Sequence, residues 1–282
     1  MAEYRSFLKK VGGNEGNKCR YPTRLDSYGC GCAHDCSYCY ARHLLEFRGL
    51  WHPEVPSVAD INKIERKLDK IPKGTILRLG GMTDCFQPIE KKYRVTFQLI
   101  QKLNARRIGY LIVTKSAMVA DPEYLRLYDK ELAHIQVTIT STDDATAARY
   151  EKASPISERI RAIQTLHKME FDVAVRLSPF IPDNVDYAVL NGIQCDKILV
   201  EFLRCNGFIR KTFPIDYTEY TVKQSGYWHL PLETKKEYLK NITGFREVTV
   251  CEDESEAYEY WRDHFNPNRE DCCNLRKYKS SP

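Results

Sequence analysis

Long apolar runs are what this sequence lacks. No stretch of its 282 residues approaches the length of a membrane span. The opening MAEYRSFLKKVGGNEGNKCRYP holds no apolar core of the length a signal peptide requires. These absences set aside a spanning helix and lead to the expectation of a cytoplasmic protein with no membrane partner. Internal repeats, heptads and low-complexity tracts are missing too, which removes solenoid and coiled-coil architectures. What is present is an ordinary globular balance, 43% hydrophobic and 29% charged, with room for one large core or two modest ones. The net charge of +5 is mildly basic and suits the approach of a phosphate-bearing partner. Cysteine is the surplus: there are eleven. In a reducing compartment such thiols stay free for metals or catalysis, whereas a disulfide scaffold belongs to short secreted domains.

Extended apolar runs recur at 75–81, 108–116, 132–140, 171–181 and 195–203. Between them lie helix-period segments at 41–50, 59–70, 90–104, 121–132 and 154–169. Asp121 followed by Pro122, and Ser154 followed by Pro155 with Glu158 beyond, read as an N-cap and first helical position. This alternation predicts βαβ units and a parallel sheet covered by helices. Five or six units suit an α/β fold of partial (β/α)6 TIM-type barrel, with a flat doubly wound sheet as the alternative. After about residue 204 the rhythm breaks. The expected division is an N-terminal arm over 1–24, a partial barrel over 25–204, and a C-terminal extension or lid over 205–282 whose last residues, KYKSSP, fray.

Four cysteines fall within residues 30–39, in GCGCAHDCSYCYAR. Cys32, Cys36 and Cys39 are spaced C-x3-C-x2-C, and Cys30 has no place in that count. Zinc sites pair C-x2-C knuckles or add two later histidines; no matching second pair follows at that distance, and His34 is cramped inside the loop. Three thiolates instead suit an iron–sulfur cube with one iron left open to a chelating small molecule.

CAHDCSYC resembles the C-x3-C-x-φ-C signature of radical S-adenosylmethionine (SAM) enzymes, with Tyr38 as the aromatic residue. Four further blocks, beginning LGGMTDCFQP, GYLIVTKSAM, IQVTITSTDD and VRLSPFIPDN, resemble in order those of the spore photoproduct lyase-like branch, covering about residues 28–200. The resemblance implies a [4Fe–4S] cluster on Cys32, Cys36 and Cys39 and SAM chelated to its open iron. Reductive cleavage then gives a 5′-deoxyadenosyl radical that abstracts hydrogen, with an external one-electron donor such as flavodoxin or ferredoxin. It further implies that Gly80, Gly81, Met82 and Thr83 belong to the segment that meets the SAM amino group, with Asp84 beside them among the cofactor-binding residues, and that Thr114 and Lys115 form a pair whose lysine reaches the SAM carboxylate. Ser141 corresponds to a residue near the ribose, and the segment from Arg176 through Pro179 to Ile181 to one near the adenine. A glycine pair after a strand is by itself more often a turn, and Asp84 has a plain alternative in holding its loop by hydrogen bonds.

Spore photoproduct lyases carry a hydrogen-donor cysteine where this chain has Gly81, so Cys85, on the far side of Asp84, is the catalytic donor candidate in a different geometry. Cys205, Cys251, Cys272 and Cys273 raise the question of a second cluster, although adjacent Cys272 and Cys273 do not easily serve one cluster together. The aromatic and basic residues of YTEYTVKQSGYWHL suit either a lid core or base stacking. The resulting expectation is a monomeric lyase-type enzyme that repairs or rearranges a modified pyrimidine in DNA. A radical SAM enzyme acting on a peptide or small metabolite, and a non-enzymatic iron–sulfur or zinc module, are the competing readings.

Overall fold

A computed structural model describes residues 4–252 and 257–276; the segment KYKSSP expected to fray lies outside the described residues. Its centre is an eight-stranded sheet. In chain order the strands are β1 (Leu8–Lys10), β2 (Thr23–Leu25), β3 (Ile76–Leu79), β4 (Gly109–Thr114), β5 (Ala133–Ile139), β6 (Asp172–Phe180), β7 (Lys197–Phe202) and β8 (Glu247–Val250). Their spatial order follows the chain, and only β1 runs antiparallel to its neighbour. β5 is buried along its whole length, as a parallel strand covered on both faces must be.

The sheet is an open α/β barrel: β1 and β8 stand at its edges and do not pair. Strands β3 to β7 coincide with the five apolar runs of the sequence. β8 belongs to the segment read as an extension, and its parallel pairing with β7 carries the barrel rhythm one strand further than the sequence suggested. Among the described residues no helix is long and apolar enough to cross a membrane.

The helices follow the pattern with local departures. The segment expected as one helix over 90–104 is broken at Arg94, whose φ of 52° is left-handed, so the longer piece, α1, spans Val95–Ala105. The helix expected over 121–132 stops at Leu127. In α2 (Ile156–Lys168), Ile156, Arg159, Ala162, Ile163 and Leu166 recur at helical spacing and form the buried face. Pro155, not Ser154, holds the N-cap position, and the Ser154 hydroxyl accepts from the Ala117 N–H at 3.0 Å instead.

At the N-terminal ends of the strands, Asp172 is a buried anchor. Its carboxylate pairs with His134 Nδ1 at 2.6 Å and Lys197 Nζ at 2.7 Å, and accepts from the Arg276 N–H at 2.8 Å. Burial raises its pKa, but the His134 hydrogen bond and the Lys197 charge outweigh burial and hold it at about 2. Because the folded pKa lies below the unfolded one, this contribution is present above pH ~4 and lost as pH falls through about 2. Asp172→Asn leaves buried partners uncompensated and is expected to cost about 3–5 kcal/mol in urea denaturation at neutral pH. The difference from wild type should shrink as the acid limit is approached.

Candidate functional site

Strand alternation builds the site. Parallel register puts Arg24 beside Arg78 and Thr138 beside Arg176, so these side chains share one face of the sheet. Arg78, Thr138, Arg176, Glu201 and Cys251 line a cavity of about 250 Å³ at that face, whereas Leu77, Val137, Val175 and Val200 point the other way and are wholly buried. The Arg176 guanidinium donates to Gln136 Oε1 at 2.7 Å and to Glu201 Oε2 at 2.5 Å, and Ser178 Oγ donates to the same Glu201 oxygen at 2.7 Å. Burial raises the Glu201 pKa, yet the charges of Arg176 and Arg204 hold it down at about 2, so it is a carboxylate at neutral pH. The β6–β7 pairing shifts register between Leu177 and Phe180, and Ser178 and Pro179 from this irregular stretch line the cavity.

The cysteine loop follows β2 and leads into the helix Tyr40–Phe47, with Cys39 at the N-cap position. Its backbone is clamped from several directions. The Ala33 N–H donates to Gln87 Oε1 at 2.9 Å, the Ser37 N–H to the Tyr150 carbonyl at 2.9 Å, and the Lys152 N–H to the His34 carbonyl at 2.6 Å. Tyr38 is packed edge-on against Tyr150 and Phe213, and its hydroxyl donates to Glu151. Glu151 is in turn bonded by Arg159 Nη2 at 2.5 Å, with both side chains buried. Arg159 sits on the apolar face of its helix because this pair lies beneath the loop.

Cys32, Cys36 and Cys39 are free thiols and all three line the cavity. Burial pushes Cys32 up to about 12, with the Asp84 charge adding to it, and burial likewise raises Cys36 and Cys39. Cationic iron reverses that preference, so loading the site releases protons. Among the described residues no three His, Cys, Asp or Glu side chains are placed to ligate one ion. Sulfurs around a single zinc crowd to about 3.8 Å, given bonds of about 2.3 Å, whereas a cube separates its thiolates onto different irons. Three buried thiols from one clamped loop, opening into a cavity, fit a cube with one iron facing that cavity.

The cavity also takes in Gly80, Gly81, Met82, Thr83 and Asp84 after β3, Thr114 and Lys115 at the end of β4, and Tyr38. Gly80 has φ +86°, and a Cβ there would meet the Val113 carbonyl at 3.0 Å, so the turn requires glycine. Asp26 Oδ1 accepts from the Gly81 and Met82 N–H groups at 2.7 and 3.1 Å. Asp84 is a knot: it accepts from Thr114 Oγ1 at 2.8 Å and the Lys115 N–H at 2.7 Å, and stands 3.2 Å from His34 Nε2. It thereby ties the cysteine loop to the β4 end. Burial raises the Asp84 pKa, but His34 and the Lys115 and Phe86 N–H donors bring it to about 2. Lys115 Nζ stands 5.6 Å from the centre of the Tyr38 ring.

Three of the residues expected to bind SAM or donate hydrogen do not line the cavity. Cys85 is wholly buried in the core, where its carbonyl accepts from Thr96 Oγ1, so the thiol is not presented to a substrate. Ser141 is also fully buried; its hydroxyl donates to the Asn184 carbonyl at 2.9 Å and accepts the Asp143 N–H at 3.0 Å. Ile181 is a core side chain. The leftover Cys30 is turned aside by its φ of 57°, and its thiol accepts from Ser57 Oγ at 3.1 Å. Sequence reasoning missed Arg78 and Glu201. Their signal is a lone charge inside an apolar strand, in LRL at 77–79 and VEF at 200–202.

Residues 27–189 match the family model described as the radical SAM superfamily. An uncharacterized protein of Methanocaldococcus jannaschii is 30% identical over an alignment of 172 residues that covers 57% of this chain and 62% of that protein. The chain thus spans less than two thirds of that relative. Among solved structures, a spore photoproduct lyase variant aligns with a TM-score of 0.63 at 16% identity, covering 87% of this chain and 79% of its own. Spore photoproduct lyase complexed with dinucleoside spore photoproduct aligns at 0.60 with 16% identity and the same coverage. At this identity the likeness is one of fold.

Proposed function

We propose that this chain, which belongs to the radical SAM superfamily, cleaves SAM reductively in the cavity beside Cys32, Cys36 and Cys39 and acts on a modified pyrimidine nucleotide in DNA. The superfamily uses a [4Fe–4S] cluster and SAM, which when bound and reduced supply a hydrogen-abstracting radical. The observation that carries the reading is the joining, in one cavity, of three free thiols with cationic Lys115, Arg176 and Arg204 and aromatic Tyr227.

The chain's own residues have assignable tasks. Cys32, Cys36 and Cys39 hold the cluster, and the Asp84 knot fixes the loop against the β4 end. Lys115, with its charge beside the thiols, suits an anionic carboxylate, and the carbonyls of the Gly80–Thr83 turn suit an ammonium group. Tyr227 offers a ring to a base, and Arg204, which stands over that ring, offers a partner for phosphate. The nucleotide reading is supported by the dinucleoside bound in the structurally similar lyase. The chemistry differs from that lyase at one point: no thiol occupies position 81, and the Gly81 carbonyl instead accepts from the Tyr40 hydroxyl at 2.8 Å.

The test is anaerobic turnover with reduced, reconstituted protein, with an external one-electron donor, and with ultraviolet-irradiated or intact oligonucleotide. Irradiated DNA should raise the rate of 5′-deoxyadenosine formation at least several-fold over intact DNA, with loss of a photoproduct measured by mass spectrometry. Equal rates with both, and unchanged photoproducts, would remove the nucleotide assignment.

A further inference from the structure

Three cysteines serve the loop, yet the same cavity is lined by three more: Cys19, Cys251 and Cys272. They come from distant parts of the chain. Cys19 closes the short helix Gly13–Lys18 just before β2, Cys251 is the first residue beyond β8, and Cys272 lies in the C-terminal turn with Cys273. Since β2 and β8 lie near opposite edges of the open sheet, these residues meet where the two ends of the barrel approach each other. Cys272 neighbours both Cys251 and Cys273, and Cys19 lies near enough to Cys251 and Cys273 to interact electrostatically with them. All four are free thiols.

The surroundings are built to hold them. Asp271 is buried; its carboxylate accepts the Cys273 N–H at 3.0 Å and the Leu275 N–H at 3.2 Å, folding the turn that presents both adjacent cysteines. The same carboxylate accepts from the Tyr21 hydroxyl at 2.6 Å, and the Tyr21 N–H donates to Cys19 Sγ at 3.4 Å. One tyrosine thus joins the first cysteine to the turn carrying the last two. The Cys251 N–H extends the β7–β8 ladder by donating to the Val200 carbonyl at 2.9 Å. Positive charge faces the group: Arg78 acts on Cys19 and Cys273, and Arg176 on Cys251 and Cys273. Arg78 Nε is buried without a hydrogen-bond partner.

We propose that Cys19, Cys251, Cys272 and Cys273 hold a second [4Fe–4S] cluster, at the wall of the cavity that the Cys32–Cys36–Cys39 loop also lines. Four thiolates and no other donor restrict the occupant to zinc or an iron–sulfur cluster. Three of them line the cavity onto which the Cys32, Cys36 and Cys39 thiols also open, where an iron–sulfur cluster suits electron transfer and zinc, without redox chemistry, does not, which favours the cluster. The spacing of adjacent Cys272 and Cys273 argues against a shared cluster in an extended chain. The Asp271 turn and the left-handed Asn274 that follows, φ 44°, remove that objection by bending the backbone around the pair. With four protein ligands this cluster has no open iron, unlike the first.

The experiment counts iron and sulfide in protein reconstituted anaerobically, and its readout does not depend on turnover. A variant with Cys32, Cys36 and Cys39 all changed to Ala should keep about half of the wild-type iron and sulfide, together with the charge-transfer absorption of a cluster. Adding Cys19→Ser and Cys251→Ser should remove both. Cys251→Ser alone, in the intact background, should lose about half of the iron, and this arm decides the matter if the triple variant does not fold. Wild-type iron content unchanged by Cys251→Ser would overturn the assignment. So would stoichiometric zinc in place of iron, or a disulfide among these four thiols in the reduced protein.

Discussion

Cys36→Ala is expected to form no 5′-deoxyadenosine above a protein-free control, while Cys30→Ala, six residues away, keeps the wild-type rate. The two thiols share a loop and differ in direction. Cys36 lines the cavity with Cys32 and Cys39, and a cube tied to protein through only three thiolates does not survive the loss of one. Cys30 instead packs beside Tyr4 and Leu45 and accepts a hydrogen bond from Ser57. Liquid chromatography of the quenched reaction gives the nucleoside, and iron analysis of the same samples separates a missing cluster from an idle one. Equal losses in both variants would mean that the loop is only structural.

Glu151→Ala should be the most damaging single change to the fold near the site. The Glu151 carboxylate is wholly enclosed and is bonded by Arg159, Tyr38 and Thr140. Burial raises its pKa, but the Arg159 and Lys115 charges outweigh burial and keep it ionised. Truncation leaves the Arg159 guanidinium buried without its counterion, at a cost of about 3–5 kcal/mol. That corresponds to a Tm lower by about 10 °C for a chain of this size. Tyr38 loses its anchor as well, so the variant should also take up less iron. Glu151→Leu combined with Arg159→Met removes both charges and should recover part of the stability but not the ordering of Tyr38. Thermal melts of the three proteins check the first claim, and iron content checks the second.

How much of this was legible in the sequence depends on the range over which each signal acts. The runs that became β3 to β7 carry enough apolar residues to announce themselves. β2 and β8, at three and four residues, are too short for any periodicity, and β8 lies in a polar stretch. The break at Arg94 has no composition signal, because a left-handed arginine is imposed by packing around Glu90 rather than by its own preference. The cysteine loop was legible because its spacing is local. Ser141 and Ile181 were placed by family correspondence, which fixes a position along the chain but not the face on which a side chain ends, and Cys85 was chosen only as the thiol nearest in sequence to Gly81, the position that corresponds to the family's donor. Cys19 and the tail cysteines lie about 230 residues or more apart in sequence, and only the closing of the barrel brings them together.

The most direct test of the central claim is reductive SAM cleavage by the unmodified chain. Protein reconstituted with iron and sulfide under anaerobic conditions is reduced with dithionite, given SAM, and assayed for 5′-deoxyadenosine and methionine. Equimolar amounts of both, formed only with reductant, are the predicted result. Full iron loading with neither product would contradict the account, leaving the cysteine loop as a structural or electron-transfer site.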